Sequence, residues 1–447
     1  MTTLADALGC AQNIIGGPFG SNLTQVDYRP AGIPVIRGSN MGVAGRFIGG
    51  NFVFVSAEKA KKTLSSNLAA RGDIIVTQRG TMGQVSIIPT DSAYDCFVIS
   101  QSQMAIRVPI EVADPFFVYY FLKSQKFLEY LDTSTIQTGV PHINLTILRQ
   151  APASWPPLEE QHAIASILGA LDDKIELNRR MNETLEAMAR AIFKDWFVDF
   201  GPTRAKMAMR GEDPQNENVA RAPYLAPDVW SLFPDRLDAD GKPQGWRNCA
   251  ISELCDRVEN GGTPARGEPQ YWSPPSVPWL TSGEVRMPII AETAQYISEL
   301  GLQNSSAKIW PVGTTVVAMY GATAGQICLL GTSVSANQAC CGLIPKRHMR
   351  EYVFIALRED RSGLALKATG SAQQNLSQRL IADHTVIAPS FECVQAFSEA
   401  AESLFERWIS NEFENRSLRE VRDHLLPKLM SGEIRVKDAE KHVSEVV

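Results

Sequence analysis

The chain has 447 residues, enough for two or three domains at about 150 residues each. Hydrophobic residues make up 44% and charged residues 21%, which excludes a disordered chain, a collagen-like fibre or a disulfide scaffold. The net charge of −6 excludes a uniformly basic nucleic-acid binder, but the charge is unevenly spread. Residues 1–157 carry 12 basic and 10 acidic side chains and 247–390 carry 12 and 11, whereas 158–200 carry 5 and 9 and 391–447 carry 8 and 12.

No run approaches the roughly 18 apolar residues of a membrane span. MTTLADALGCAQ lacks the basic segment and apolar core of a signal peptide. The 8 cysteines form no C-x-x-C pair and read as the reduced thiols of a cytoplasmic protein, and the 6 scattered histidines offer no metal site. No phosphate cradle, dinucleotide fingerprint or H-E-x-x-H pair is present.

The first half opens on short strand-like runs. Ile33–Ile36 runs into the polar stretch Arg37-Gly38-Ser39-Asn40. RGDIIVTQRGTMGQVSII from Arg71 is two apolar runs about a Gly-containing turn, a hairpin whose tip is Gln78-Arg79-Gly80-Thr81. An amide cluster, Gln101-Ser102-Gln103, comes next, then one helical stretch over Phe116–Leu131 and an amide-bearing loop, Gln137-Thr138-Gly139, ahead of Asn144-Leu145.

After Pro156-Pro157 a long helix is predicted. Ile164, Leu168, Leu171, Ile175, Asn178, Asn182, Leu185, Ala189, Ile192 and Trp196 alternate steps of four and three, which is a heptad seam. Near its end Phe193, Trp196, Phe197 and Phe200 share a face, either extending the internal packing or forming part of a partner's dock. Residues 201–246 form a connector ordered in places, in which Pro202, Pro214, Pro223, Pro227, Pro234 and Pro243 break any helix.

The second half repeats the first. Val277–Leu280 runs into Thr281-Ser282-Gly283-Glu284; a hairpin from Pro311 has its tip at Tyr320-Gly321-Ala322-Thr323; the amide cluster is Asn337-Gln338; Tyr352–Leu366 is helical; and Ser371-Ala372-Gln373-Gln374-Asn375 follows, with Asn375 matched to Asn144. The closing helix carries Phe397, Ala401, Leu404, Trp408, Asn411, Asn415, Leu418, Arg422, Leu425 and Leu429 in the same steps, every residue at the same separation from its counterpart. An Asn in an apolar seam is costly unless paired. Antiparallel packing about a central twofold sets Asn178 near Asn415 and Asn182 near Asn411. Parallel packing also aligns the Asn layers, and in a third arrangement the asparagines face solvent while Leu177 and Met181 fill the seam.

Asn and Gln suit bidentate contact with adenine, Arg with guanine, and Ser, Thr and Gly backbone groups suit phosphate. The candidate DNA-contacting residues are therefore Arg37, Ser39, Asn40, Gln78, Arg79, Thr81, Gln101, Gln103, Gln137 and Thr138 in the first half. In the second half they are Thr281, Ser282, Glu284, Tyr320, Asn337, Gln338, Gln373, Gln374 and Asn375. Two rival classes remain: a DNA-binding regulator with a homodimeric coiled coil, and an enzyme with a hidden nuclease motif.

Three stretches carry a family resemblance: PPLEEQHAIASILGALDDKIELNRRMNETLEAMARAIFKDWFVDF from Pro156; FGPTRAKM and LFPD ahead of GKPQGW; and LREVRDHLLPKLMSGEI near the end. Together they resemble the DNA-specificity subunit of a type I restriction–modification system, over essentially the whole chain. The resemblance implies an α/β architecture with α+β recognition domains in tandem, at 1–157 and 246–390. It implies spacer helices at 158–200 and 391–432 packed antiparallel, a connector at 201–245, a tail at 433–447 and a pseudo-twofold repeat. It further implies a non-catalytic subunit that reads a bipartite site in double-stranded DNA, each domain taking one half. Two methylation subunits and the restriction subunits would be its partners, and S-adenosylmethionine, ATP and Mg would sit on those partners only. The helical seam spans about 50 Å at 1.5 Å per residue, or roughly fifteen base pairs, and the resemblance implies that it sets the gap. One departure is that the first half lacks a counterpart of Gly245-Trp246.

Overall fold

The computed structural model describes residues 2–42, 45–136, 141–212, 222–367 and 375–444. Contacts divide the chain into two compact units, Met1–Leu177 with Ser417–Val447, and Asn178–Arg416. The division falls inside both long helices, so each unit holds one strand-rich half together with part of each helix.

In the first unit a four-stranded antiparallel sheet runs in the order Ile14–Gly16, Gln103–Ile106, Ile74–Thr77, Val85–Ile87. A second sheet runs Val53–Val55, Ile33–Ile36, Cys96–Ile99, Leu68–Ala70, its middle pair parallel. The second unit repeats this order with one strand added to the larger sheet and one fewer in the smaller. Its larger sheet is Cys255–Asn260, Cys340–Pro345, Thr315–Ala318, Ile327–Leu330, Ile289–Ile290. Its smaller sheet is Gln295–Ile297, Val277–Leu280, Ser335–Ala336. Both predicted hairpins form, with Ile74 opposite Ile87 and Thr315 opposite Leu329. Their strands, IIVT and TVVA, are buried throughout, which explains why they read as continuous apolar runs.

Each expected single helical stretch is two helices. Pro115–Lys123 ends at Ser124, whose side chain caps Gln125–Ser134, and Arg350–Glu359 ends at Asp360, whose carboxylate caps Arg361–Leu366. A side-chain acceptor for the next helix's free amides turns the chain where apolar periodicity alone continues. The connector also differs from expectation. Pro202 and Pro227 do not break helices but begin them, in Gly201–Met209 and Pro227–Leu232, because a first-turn proline removes an amide that has no partner there. The segment taken as a tail forms a helix, Val436–Ser444, whose Ala439 is buried in the first unit's core.

The long helices are Leu158–Phe197 and Phe391–Ser431. All twenty seam positions are buried or half-buried, whereas Leu177 is exposed. Ile164, Leu168 and Leu171 share a core with Leu418, Leu425 and Leu429 in the first unit, and Ala189 and Trp196 share one with Phe397 and Ala401 in the second. That pairing of early with late residues is antiparallel. Phe193, Trp196 and Phe197 are buried against Tyr352, Phe397, Phe233 and Trp246, so this face serves internal packing rather than a dock. Trp196→Ala is expected to destabilise the chain by about 3–5 kcal/mol, read as a lower denaturation midpoint.

Charged groups seat each half on the helices. In the first unit Arg422 Nη1 donates to Asp172 Oδ1 (2.7 Å), and the hydroxyl of Tyr120, from the helix Pro115–Lys123, donates to Asp172 Oδ2 (2.7 Å). Burial, reinforced by Asp172, pushes the Tyr120 phenol far above its ordinary value, so it keeps its proton and donates. In the second unit Arg358 donates to Glu186 Oε1 through Nε and Nη2 (2.9 and 2.6 Å), and Arg190 pairs with Glu359. The eight cysteines are free thiols; burial pushes Cys255 and Cys341 up to about 12, which makes them inert as nucleophiles.

Candidate nucleic-acid interface

Polar segments far apart in sequence are joined by backbone hydrogen bonds into one strip, and the strip occurs twice. In the first unit the amide of Ser100 donates to the carbonyl of Ile36 (3.0 Å), that of Gln78 to Ser102 (2.8 Å), and that of Ile143 to Gln78 (3.0 Å). In the second unit Asn337 donates to Leu280 (2.9 Å), Met319 to Ala339 (2.7 Å), and Leu376 to Met319 (2.8 Å). Four elements thus lie side by side in each half: the turn after the first long strand, the hairpin tip, the amide turn and the chain after the helices. The hairpin-tip residue pairs with the last of these, Arg79 with His142 and Tyr320 with Asn375.

This ladder corrects one repeat alignment. Asn375 occupies the place of His142, not of Asn144. The true counterpart of Asn144 is Ser377, and both are helix caps: Asn144 Oδ1 accepts from the Ile147 amide (2.9 Å) and Ser377 Oγ from the Leu380 amide (3.2 Å).

Several candidate contacts are consumed inside the fold. Asn40 is buried; its Oδ1 accepts from the Arg37 amide (3.0 Å) and its Nδ2 donates to the carbonyls of Gly49 (3.0 Å) and Asn51 (3.1 Å). Glu284 does the same work, its Oε2 accepting from the Thr281 amide (2.9 Å) and hydroxyl (2.7 Å) and its Oε1 from the Ala294 amide (2.8 Å). Gln103 is fully buried; its Oε1 accepts from Ser100 Oγ, while its Nε2 has no hydrogen-bond partner among the described residues. Gln78 donates to the Gln101 carbonyl (2.6 Å), and Asn337 Oδ1 accepts from the Ala339 amide (3.1 Å). These side chains shape the turns.

Exposed on the strip are Ser39, Arg79 and Thr81 in the first unit and Tyr320, Gln338 and Asn375 in the second. Gln101 is exposed too, but its Nε2 is committed to the carbonyls of Gly20 (2.5 Å) and Leu23 (3.0 Å). Arg37, Thr281 and Ser282 are half-buried at the turns. Gln137, Thr138, Gln373 and Gln374 lie outside the described residues.

The Asn pairs sit in the second unit. Asn178 Nδ2 donates to Asn415 Oδ1 (3.1 Å) and to Glu414 Oε2 (2.9 Å), Asn411 Nδ2 to Asn182 Oδ1 (2.7 Å), and Asn182 Nδ2 to Glu412 Oε1 (2.7 Å). All four asparagines are buried. The partners follow the antiparallel register.

One further segment joins each strip without having been singled out from the sequence. The Gly17 amide donates to the Gln103 carbonyl (3.0 Å) and the Gly261 amide to that of Cys340 (3.0 Å). A Cβ on Gly17 would stand 2.0 Å from the Ser100 carbonyl oxygen, and one on Gly261 2.3 Å from that of Asn337. Only glycine allows this approach. The recurring pairs Gly16-Gly17 and Gly261-Gly262 are the sequence signal that could have found it.

The sequence profile described as the type I restriction modification DNA specificity domain matches residues 27–187 and 243–396. The chain is 29% identical over 417 residues to the type I restriction enzyme HindI specificity subunit of Haemophilus influenzae, covering 84% of this chain and 88% of that one. It is 25% identical over 387 residues to the MjaIX specificity subunit of Methanocaldococcus jannaschii, covering 85% and 82%. Among solved structures, the type I restriction-modification S subunit from M. genitalium aligns over 93% of this chain and 92% of its own at 16% identity, with a TM-score of 0.49.

Proposed function

The chain belongs to the type I restriction-modification DNA specificity family, and from that premise we propose that its two strips each read one arm of a bipartite site in duplex DNA. The observation that carries this is the repeated ladder with unlike side chains on it: Arg79 in one half stands where Tyr320 stands in the other, and His142 where Asn375 stands. A common backbone frame with different donors and acceptors fits two readers of two different sequences. The paired long helices set the gap between the arms, and the Asn layer fixes their register.

In this reading the chain neither methylates nor cuts DNA. Two methylation subunits dock on it and carry S-adenosylmethionine, and restriction subunits, which use ATP and Mg, join them. The chain supplies the address.

The first-unit contacts are Ser39, Arg79 and Thr81; the second-unit contacts are Tyr320, Gln338 and Asn375. Gln338→Ala, in the complex with methylation subunits, is expected to relax one position of one arm, at about 1–3 kcal/mol of discrimination. Sequencing the methylated motif reads this directly. Equal weakening on every sequence, with the motif unchanged, would make Gln338 a phosphate contact instead.

A further inference from the structure

Beside each strip the surface opens into a groove, and the two grooves are the same feature. The first, of about 470 Å3, lies between the strand Ile14–Gly16, Ser66-Asn67 and the helix Leu145–Arg149, with Asn22 at its edge. The second, of about 610 Å3, lies between the strand Cys255–Asn260, Ser306 and Lys308, and Gln378 of the helix Gln378–Ala382. Gly17 and Gly261 each form the wall shared by groove and strip, and each short helix starts directly after the strip's last rung, at Ile143 or Leu376. The grooves therefore continue the strips.

Their linings differ in most residues but keep one chemistry. Each has an exposed serine, Ser66 or Ser306, an amide, Asn22 or Asn260, and a cation, Arg149 or Lys308. In the first groove Arg149 Nη2 donates to the Ile14 carbonyl (2.7 Å), while its Nε is buried with no hydrogen-bond partner among the described residues. In the second, Glu259 lies between Arg257 (3.2 Å) and Lys308 (2.9 Å), which leaves that cluster one positive charge in excess. Hydroxyl, amide and cation are the groups that contact phosphate oxygens without reading sequence.

We propose that these grooves seat the sugar–phosphate backbone of the duplex flanking each arm. The proposal rests on the strips reading DNA, and it adds a sequence-independent hold beside each reader. A negative charge on the groove wall should repel the strand. Ser66→Asp and Ser306→Asp, each on an exposed side chain, are tested in the full complex with its methylation subunits. The probes are a duplex carrying the motif the parent complex methylates and a scrambled duplex of equal length.

Each substitution is expected to weaken both duplexes by the same factor, about fivefold at low salt, with the methylated motif unchanged and the difference fading at high salt. Lys308→Gln is expected to lower the slope of log affinity against log salt by about 0.9, the contribution of one phosphate. Unchanged affinity for both duplexes, with the complex intact, overturns the proposal. So does loss of methylation-subunit binding with DNA affinity retained, which would make the groove a protein dock. Gln338→Ala separates the two ideas. If it relaxes the motif while the aspartates do nothing, the strip reads DNA and the groove does not hold it; if neither has an effect, the reading of the strip fails as well.

Discussion

Lengthening both long helices by four residues is expected to shift methylation to a motif with the same two arms and a gap one to two base pairs longer. Four residues add about 6 Å of helix and close to one full turn, so the apolar faces stay approximately in place. At 3.4 Å per base pair, 6 Å lies between one and two pairs. The insertion sites follow from the Asn pairs. Insertions between Leu177 and Asn178 and between Arg416 and Ser417 lie just outside the Asn178–Asn415 pair, so both Asn pairs stay intact, and they fall where the two compact units divide, so neither core is split. The same insertion in one helix only misaligns the seam beyond that point and should abolish methylation rather than move it. Sequencing the methylated motif distinguishes these outcomes. A gap that stays fixed while the arms change would show that the helices do not set the spacing.

Arg422→Leu should destabilise the chain by about 3–5 kcal/mol, because it leaves the Asp172 carboxylate buried without its cation. Asp172 is nearly enclosed, at 10% side-chain exposure, and without Arg422 it retains only the Tyr120 hydroxyl among the partners described above. A second substitution, Asp172→Leu, should recover much of the loss, since replacing a whole buried pair by apolar side chains is close to neutral where breaking it is not. Chemical denaturation of the two single variants and the double variant gives the coupling. If Arg422→Leu costs under about 1 kcal/mol, the pair behaves as an exposed ion pair and does not seat the first half on the helices.

Much of the architecture could be read from the residues because its signals are periodic. The heptad steps from Ile164 to Trp196 and from Phe397 to Leu429 placed both long helices, and the apolar runs at Ile74 and Thr315 placed both hairpins. The direction of the helix pair was not legible in the seam itself and came only from the family resemblance, because the asparagines are centred in each seam and either direction aligns them. It takes the bonds Asn178–Asn415 and Asn182–Asn411 to separate the two. The breaks at Ser124 and Asp360 were hidden by apolar residues that continue across them; only the caps reveal the turn.

The candidate interface was legible as segments but not as side chains. Asn40 and Glu284 looked like readers because amides and carboxylates match base edges, yet both spend their hydrogen bonds on the turn that contains them. A sequence shows what a side chain can bond, not what the fold has already bonded to it. Matching Asn375 to Asn144 failed for a related reason: asparagine served as a cap in one half and serine in the other, so the residue type misled where the hydrogen bond would not.

In the proposed function one chain holds two independent readers at a fixed spacing. The most direct test replaces residues 246–390 with the corresponding domain of a family member that directs methylation to a different motif, and sequences the methylated DNA with the same methylation subunits present. The expected result is a motif in which one arm is exchanged while the other arm and the gap are retained. A motif altered in both arms, or one left unchanged by the exchange, would contradict it.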